Sequence, residues 1–170
     1  LGQGITINAA TGVALGGWTG RIDYDVNGNN IQGAVSNGVS VVLGTSGAAG
    51  TFDGFVRNNV IGTSGVSLSC STQANGIYID KRGNGTQNSS VTGNTVRQCF
   101  DRAILTEAGD GSGVLNLTVQ SNSLDQQVDA GAREVKCHVA VRPDPGLLEA
   151  GDVDVVDGDA EAGGPTEVAD

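Results

Sequence analysis

Apolar and polar residues alternate with a period of two in several short stretches, and those stretches recur along the chain. In Arg21-Ile22-Asp23-Tyr24-Asp25-Val26, Ile22, Tyr24 and Val26 share one face. Residues 51–56 place Phe52 and Val56 on the corresponding face, and residues 114–119 place Leu115, Leu117 and Val119 there. A period of two predicts strands. Each stretch leads into the same skeleton: a Val, two residues, an Asn, one residue and an aliphatic. It reads Val26-Asn29-Ile31, Val56-Asn59-Ile61, Val91-Asn94-Val96 and Val119-Asn122-Leu124, with the Asn residues 30, 35 and 28 positions apart. A third segment follows in Gly38-Val39-Ser40-Val41 and Gly76-Ile77-Tyr78-Ile79. Ala103-Ile104-Leu105-Thr106 is a looser copy, and Gly4-Ile5-Thr6-Ile7 an earlier one. Nine residues separate Asn29 from Gly38 and Asn94 from Ala103, but seventeen separate Asn59 from Gly76. An insertion of about eight residues is therefore expected around 67–73, on one side of the repeat.

Three short strands per repeat, wound with a constant hand, describe an all-β parallel β-helix of about four rungs over residues 1–124. Aliphatic side chains would stack inside at about 4.8 Å per rung. The repeated Asn falls at the bend between the first two strands, where its tolerance of left-handed backbone geometry is useful. Asn29, Asn59, Asn94 and Asn122 are expected to stack as a structural amide ladder along the axis.

This pattern resembles the right-handed parallel β-helix repeat proteins of the pectin-lyase-like superfamily, and among them bacterial secreted or surface adhesin-like proteins. Val91-Thr92-Gly93-Asn94-Thr95-Val96, Gly76-Ile77-Tyr78-Ile79 and their copies carry the resemblance over roughly residues 1–124. It implies the fold and a secreted or bacterial cell-surface location. It does not select an activity, since one fold hosts many functions.

Composition agrees with strands: 28 Gly in 170 residues, no Met, and only 16% charged residues disfavour helices. The net charge of −10 argues against nucleic acid, whose phosphates need clustered Lys and Arg. No apolar run is long enough for a helical membrane span. The chain starts at Leu1 without a signal-peptide pattern and reads as an internal or processed piece. Cys70, Cys99 and Cys137 lack zinc-site spacing. Buried thiols are the leading expectation, with a Cys70–Cys99 bridge as the alternative.

After Leu124 the character changes. Thirteen Asn and eight Ile precede that point and none follows, while all three Pro lie beyond it. Residues 125–170 carry twelve acidic and three basic residues. They are expected to form a disordered, low-complexity acidic tail. The competing readings are a frame slip near residue 125 and a Ca²⁺-binding run, the latter without EF-hand spacing.

Candidate chemistry lies on outward positions. Aligning the first strands brings Asp23, Asp53, Asn88 and Asn116 into one column, with Asp25 beside it. Stacked carboxylates can share a proton or a hard cation, and glycosidases work through such pairs. Lyases of the resembled superfamily use stacked Asp for calcium and a Lys or Arg as base, which would give Arg21 or Arg57 a role. Against this, outward positions must be polar in any case, and Phe55 interrupts the acidic surface. A second column sets Asp80 and Glu107 outward near Tyr78, a candidate sugar platform, with Lys81 and Arg82 offsetting the charge. His138 lies in the acidic tail and is discounted.

The leading expectation is a secreted or cell-surface repeat protein with a structural and adhesive role and no evident catalysis or cofactor. Its partners would be glycans or host and cell-surface molecules, and open β-helix ends would favour self-association. The alternative is a polysaccharide lyase or glycoside hydrolase acting through Asp23, Asp25 and Asp53. A plain spacer is the third.

Overall fold

A computed structural model describes residues 2, 4–9, 18–44, 49–109, 111–125 and 139–142. Among these there is no helix, and the strands form three sheets in which every pairing is parallel. One sheet takes β1 (Ile5–Asn8), β4 (Val39–Leu43), β7 (Ile77–Arg82), β10 (Ile104–Gly109) and β13 (Val139–Arg142). A second takes β2 (Arg21–Asn27), β5 (Thr51–Arg57), β8 (Thr86–Thr92) and β11 (Val114–Gln120). The third takes β3 (Asn30–Ile31), β6 (Val60–Ile61), β9 (Thr95–Arg97) and β12 (Ser123–Asp125). From β2 onward the chain visits the second, third and first sheets in fixed order, so neighbours within a sheet are one repeat, or rung, apart.

Register turns the sequence repeats into columns. Val26, Val56, Val91 and Val119 are partnered in line, as are Ile31, Ile61, Val96 and Leu124. Ile5, Val39, Ile77 and Ile104 form a third column. Val39, Val56, Val91, Ile61, Ile77 and Ile104 are fully buried, with Phe52 among them. Each such side chain contributes about 1.5–3 kcal/mol by leaving water. Trp18 packs edge-on against Phe52 at 5.5 Å between ring centroids. A stack of glycines precedes the second sheet: Gly20, Gly50, Gly85 and Gly113 sit one per rung. Thr51 N, Thr86 N and Val114 N donate to the carbonyls of Gly20, Gly50 and Gly85 at 2.9, 3.0 and 3.0 Å. A Cβ at Gly85 or Gly113 would collide with the carbonyl oxygen of the glycine one rung before it.

The ladder asparagines are bonded in series. The backbone and side-chain N–H groups of Asn29 both donate to Asn59 Oδ1, at 3.0 and 2.9 Å. Asn59 does the same to Asn94 Oδ1, and Asn94 to Asn122 Oδ1. The side-chain amides of Asn59, Asn94 and Asn122 also donate to the carbonyls of Val26, Val56 and Val91, each at 2.8 Å. Asn59 and Asn94 are buried, so these bonds satisfy backbone groups that water cannot reach. One expectation is corrected here. The left-handed residue at the bend is the one before each ladder Asn: Gly28, Asn58, Gly93 and Ser121, with φ of 70, 53, 65 and 53°. A second amide chain runs beside the first sheet, where the backbone and side-chain N–H groups of Asn75 donate to Asn37 Oδ1, each at 3.1 Å.

Three further expectations change. The insertion lies earlier than 67–73: Ser71 is already back in register with Ala34 and Cys99. The extra residues are closed at their neck by Thr63 and Ser69, whose hydroxyl accepts from Thr63 N at 2.7 Å and donates to its carbonyl at 3.1 Å. Cys70 and Cys99 are joined in a disulfide, with Cα atoms 4.7 Å apart, where free thiols were the leading expectation. Lys81 is fully buried on the inward side, in register with Leu43 and Ala108, because the alternation set by Ile77 and Ile79 runs one step further than read. The expected acidic tail, with Cys137 and His138, falls mostly outside the described residues. The exceptions are Asp125, which ends β12, and Val139–Arg142, which pairs with β10.

Candidate functional site

Side chains on β2, β5, β8 and β11 that do not enter the core form an outer face. Asp23, Asp53, Asn88 and Asn116 share one column of it. Asp25, Phe55, Ser90 and Thr118 share the next, and Asn27, Arg57, Thr92 and Gln120 the third. The first two columns, with Arg21 and Arg57, line a shallow groove of about 840 Å³.

The carboxylates in this groove are already engaged. Arg21 Nη2 lies 2.7 Å from Asp23 Oδ1 and 2.5 Å from Asp53 Oδ2, so one guanidinium spans two rungs. Asn88 donates its side-chain amide to Asp53 Oδ1 and accepts at Oδ1 from Asn116 Nδ2 at 2.7 Å. Arg21, Asp53, Asn88 and Asn116 therefore run as a polar chain over four rungs. Arg57 grips Asp25 as a fork, Nε to Oδ1 at 3.0 Å and Nη2 to Oδ2 at 2.8 Å. That fork holds the Asp25 carboxyl below its ordinary range and raises Arg57. The hydrogen bond to Asp23 raises Arg21 in the same way. The Arg57 guanidinium also sits 5.4 Å from the centre of the Phe55 ring.

This arrangement suits recognition better than acid–base chemistry. A general acid needs its pKa brought up toward the working pH, and Arg57 moves Asp25 the other way. Among the described residues no group of three His, Cys, Asp or Glu side chains converges as a metal site. The structure does bring Asp23, Asp25 and Asp53 together on one face, as register requires, but each beside an arginine.

The second candidate column also assembles, with a difference. Tyr78 Oη donates to Glu107 Oε2 at 2.8 Å, and Asp80 stands in register with Glu107. Asp80, however, is buried, where an open outward position was expected. Burial pushes the Asp80 carboxyl up, and Arg82, donating from Nε at 2.9 Å, pulls the other way. Burial also raises the half-buried Tyr78 hydroxyl, and Glu107 adds to that rise. Arg82 offsets charge here as expected, whereas Lys81 enters the core.

The groove residue that sequence reasoning undervalued is Phe55. In the sequence it stands only as a break in an acidic surface. An aromatic at an outward position of an alternating strand is itself a signal, because nothing in the core requires it there.

Comparison with protein-family models, with curated proteins and with solved structures finds no match. Among the described residues no helix is long and apolar enough to cross a membrane.

Proposed function

We propose that this chain is a segment of a secreted or cell-surface protein folded as a right-handed parallel β-helix of the pectin-lyase-like kind, with a structural and adhesive role. The observation that carries the reading is the serial amide ladder from Asn29 to Asn122. It ties each rung to the next by the same pair of bonds, a device that extends a rod and presents its outer faces without building a reaction centre. The Cys70–Cys99 bridge supports an oxidising destination, since such bonds persist outside the cytosol. Glycans and cell-surface molecules are the partner class, and pairing of rod ends is the expected route of self-association.

The rival activity, depolymerisation of a polysaccharide through Asp23, Asp25 and Asp53, makes a distinct prediction. Purified chain incubated with polygalacturonate, alginate and neutral glucans, with and without calcium, should release neither reducing ends nor unsaturated products. Release that Asp53→Asn removes would overturn the structural reading in favour of a lyase or hydrolase.

A further inference from the structure

Phe55 gives the groove a built feature. It is 48% exposed although it lies in the middle of a seven-residue strand with neighbours on both sides. Exposing a ring on a rigid sheet forfeits apolar burial, which an ordinary polar residue at that position would not do. Arg57 lies over the ring, 5.4 Å from its centre, while forked to Asp25 on the preceding rung. Ser90 and Thr118, two small hydroxyl side chains, stand in register with Phe55 on the next two rungs. Beside that floor stand the planar amides of Asn88 and Asn116, locked in orientation by their bond to each other and to Asp53. The result is a step: an aromatic wall, a floor of hydroxyls and a side of fixed amides.

We infer that this step is a docking site for a neutral polysaccharide, with one pyranose ring set against Phe55 and its hydroxyls bonded to Asn88, Asn116, Ser90 and Thr118. The inference rests on the adhesive reading above and names the partner class and the residues that hold it. The chemistry matches part by part. The C–H face of a pyranose is apolar and packs on an aromatic ring, while its equatorial hydroxyls need flat donors and acceptors at the edge. Charge selects neutral chains over uronates or sulfated glycans. The groove's two arginines are paired with its three carboxylates, which leaves a surplus of negative charge among these side chains, so a polyanion meets local repulsion. Rigidity favours binding too, because the amide chain fixes the polar groups beforehand.

The test is retention of the full chain in native gels cast with dextran, galactomannan, xyloglucan or mixed-linkage β-glucan, with polygalacturonate and alginate as charged counterparts. At least one neutral glycan should retard the protein. Phe55→Ala should weaken that association by about tenfold or more, the scale of losing one aromatic contact. Ser90→Tyr, which fills the floor, should do the same, and Phe55→Trp should keep binding. Far-ultraviolet circular dichroism checks that each variant folds. Retardation undiminished in both Phe55→Ala and Ser90→Tyr would overturn the site, as would retention by the charged polymers alone or by none. Depolymerisation in the gel, revealed by staining, would instead overturn the non-catalytic reading, so the two failures are separable.

Discussion

The hydroxyl of Tyr24 stands 2.6 Å from Ser89 Oγ, although 65 positions and two rungs separate the two residues. The side chain reaches that far by lying across Gly54, the residue between them in register. A Cβ at Gly54 would sit 2.6 Å from Tyr24 Cγ and would also strike the Tyr24 carbonyl oxygen. A mid-strand glycine ordinarily weakens a strand; here its missing side chain is the space the tyrosine occupies. Gly54→Ala should therefore destabilise by about 1–3 kcal/mol through overpacking. Urea unfolding would show this as a lower midpoint with an unchanged slope, and an unaltered midpoint would refute the packing described.

The same tyrosine predicts a pH dependence. Burial pushes the Tyr24 hydroxyl up to about 12, with the bond to Ser89 opposing and Asp53 adding to the rise. An unfolded tyrosine ionises near pH 10. Between those values the unfolded chain has lost a proton that the folded chain keeps, so stability falls as pH rises through that window and is whole below it. The loss attributable to Tyr24 is about 2–3 kcal/mol on completion. Denaturation midpoints at stepped alkaline pH should decline, and Tyr24→Phe should make the decline shallower, leaving the part due to Tyr78.

Position along the amide ladder should set the cost of breaking it. Asn94→Ala removes the acceptor of two Asn59 donors and the donor to the Val56 carbonyl, all in the interior. Stranding those groups should cost about 2–4 kcal/mol. Asn29, half-buried at the start of the ladder, gives up only its side-chain donors, and its replacement by Ala should cost about 1 kcal/mol. Equal losses at both positions, read by chemical denaturation, would mean that the bonds do not act in series.

The disulfide should be measurable as stability. It spans 29 positions, and closing a loop of that length in the unfolded chain is worth about 3–4 kcal/mol on the chain-entropy account. A reductant should lower the melting temperature of the native sequence but not that of a Cys70→Ala, Cys99→Ala variant. Reduction should also raise the thiol count of the unfolded chain by two.

Much of this architecture was legible because a rung is a unit of sequence. The Val–Asn skeleton named the columns, and alternation told Tyr24 and Val26 from Asp23 and Asp25. What escaped needed register rather than pattern. Cys70 and Cys99 lie 29 apart, inside the 28 to 35 spread of the ladder asparagines, so the interval already hinted that they stack. The glycines before the second-sheet strands show their role only in space, where the carbonyl oxygen of one fills the room a Cβ on the next would need. Lys81 escapes because its charge suggests an outward place, whereas β7 carries it inward behind Ile79. Asp80 keeps to the outward side as predicted by parity, but parity says nothing about what covers a face.

The bridge between Cys70 and Cys99 also fixes how the molecule answers a pulling force. Rungs held to their neighbours alone peel one at a time, each release paying out its own length of chain. The covalent link takes the stretch between the two cysteines out of that sequence: fully drawn, those 29 residues amount to about 100 Å of hidden length. Under oxidising conditions that length stays locked and the tether stays short; reduction would let it run.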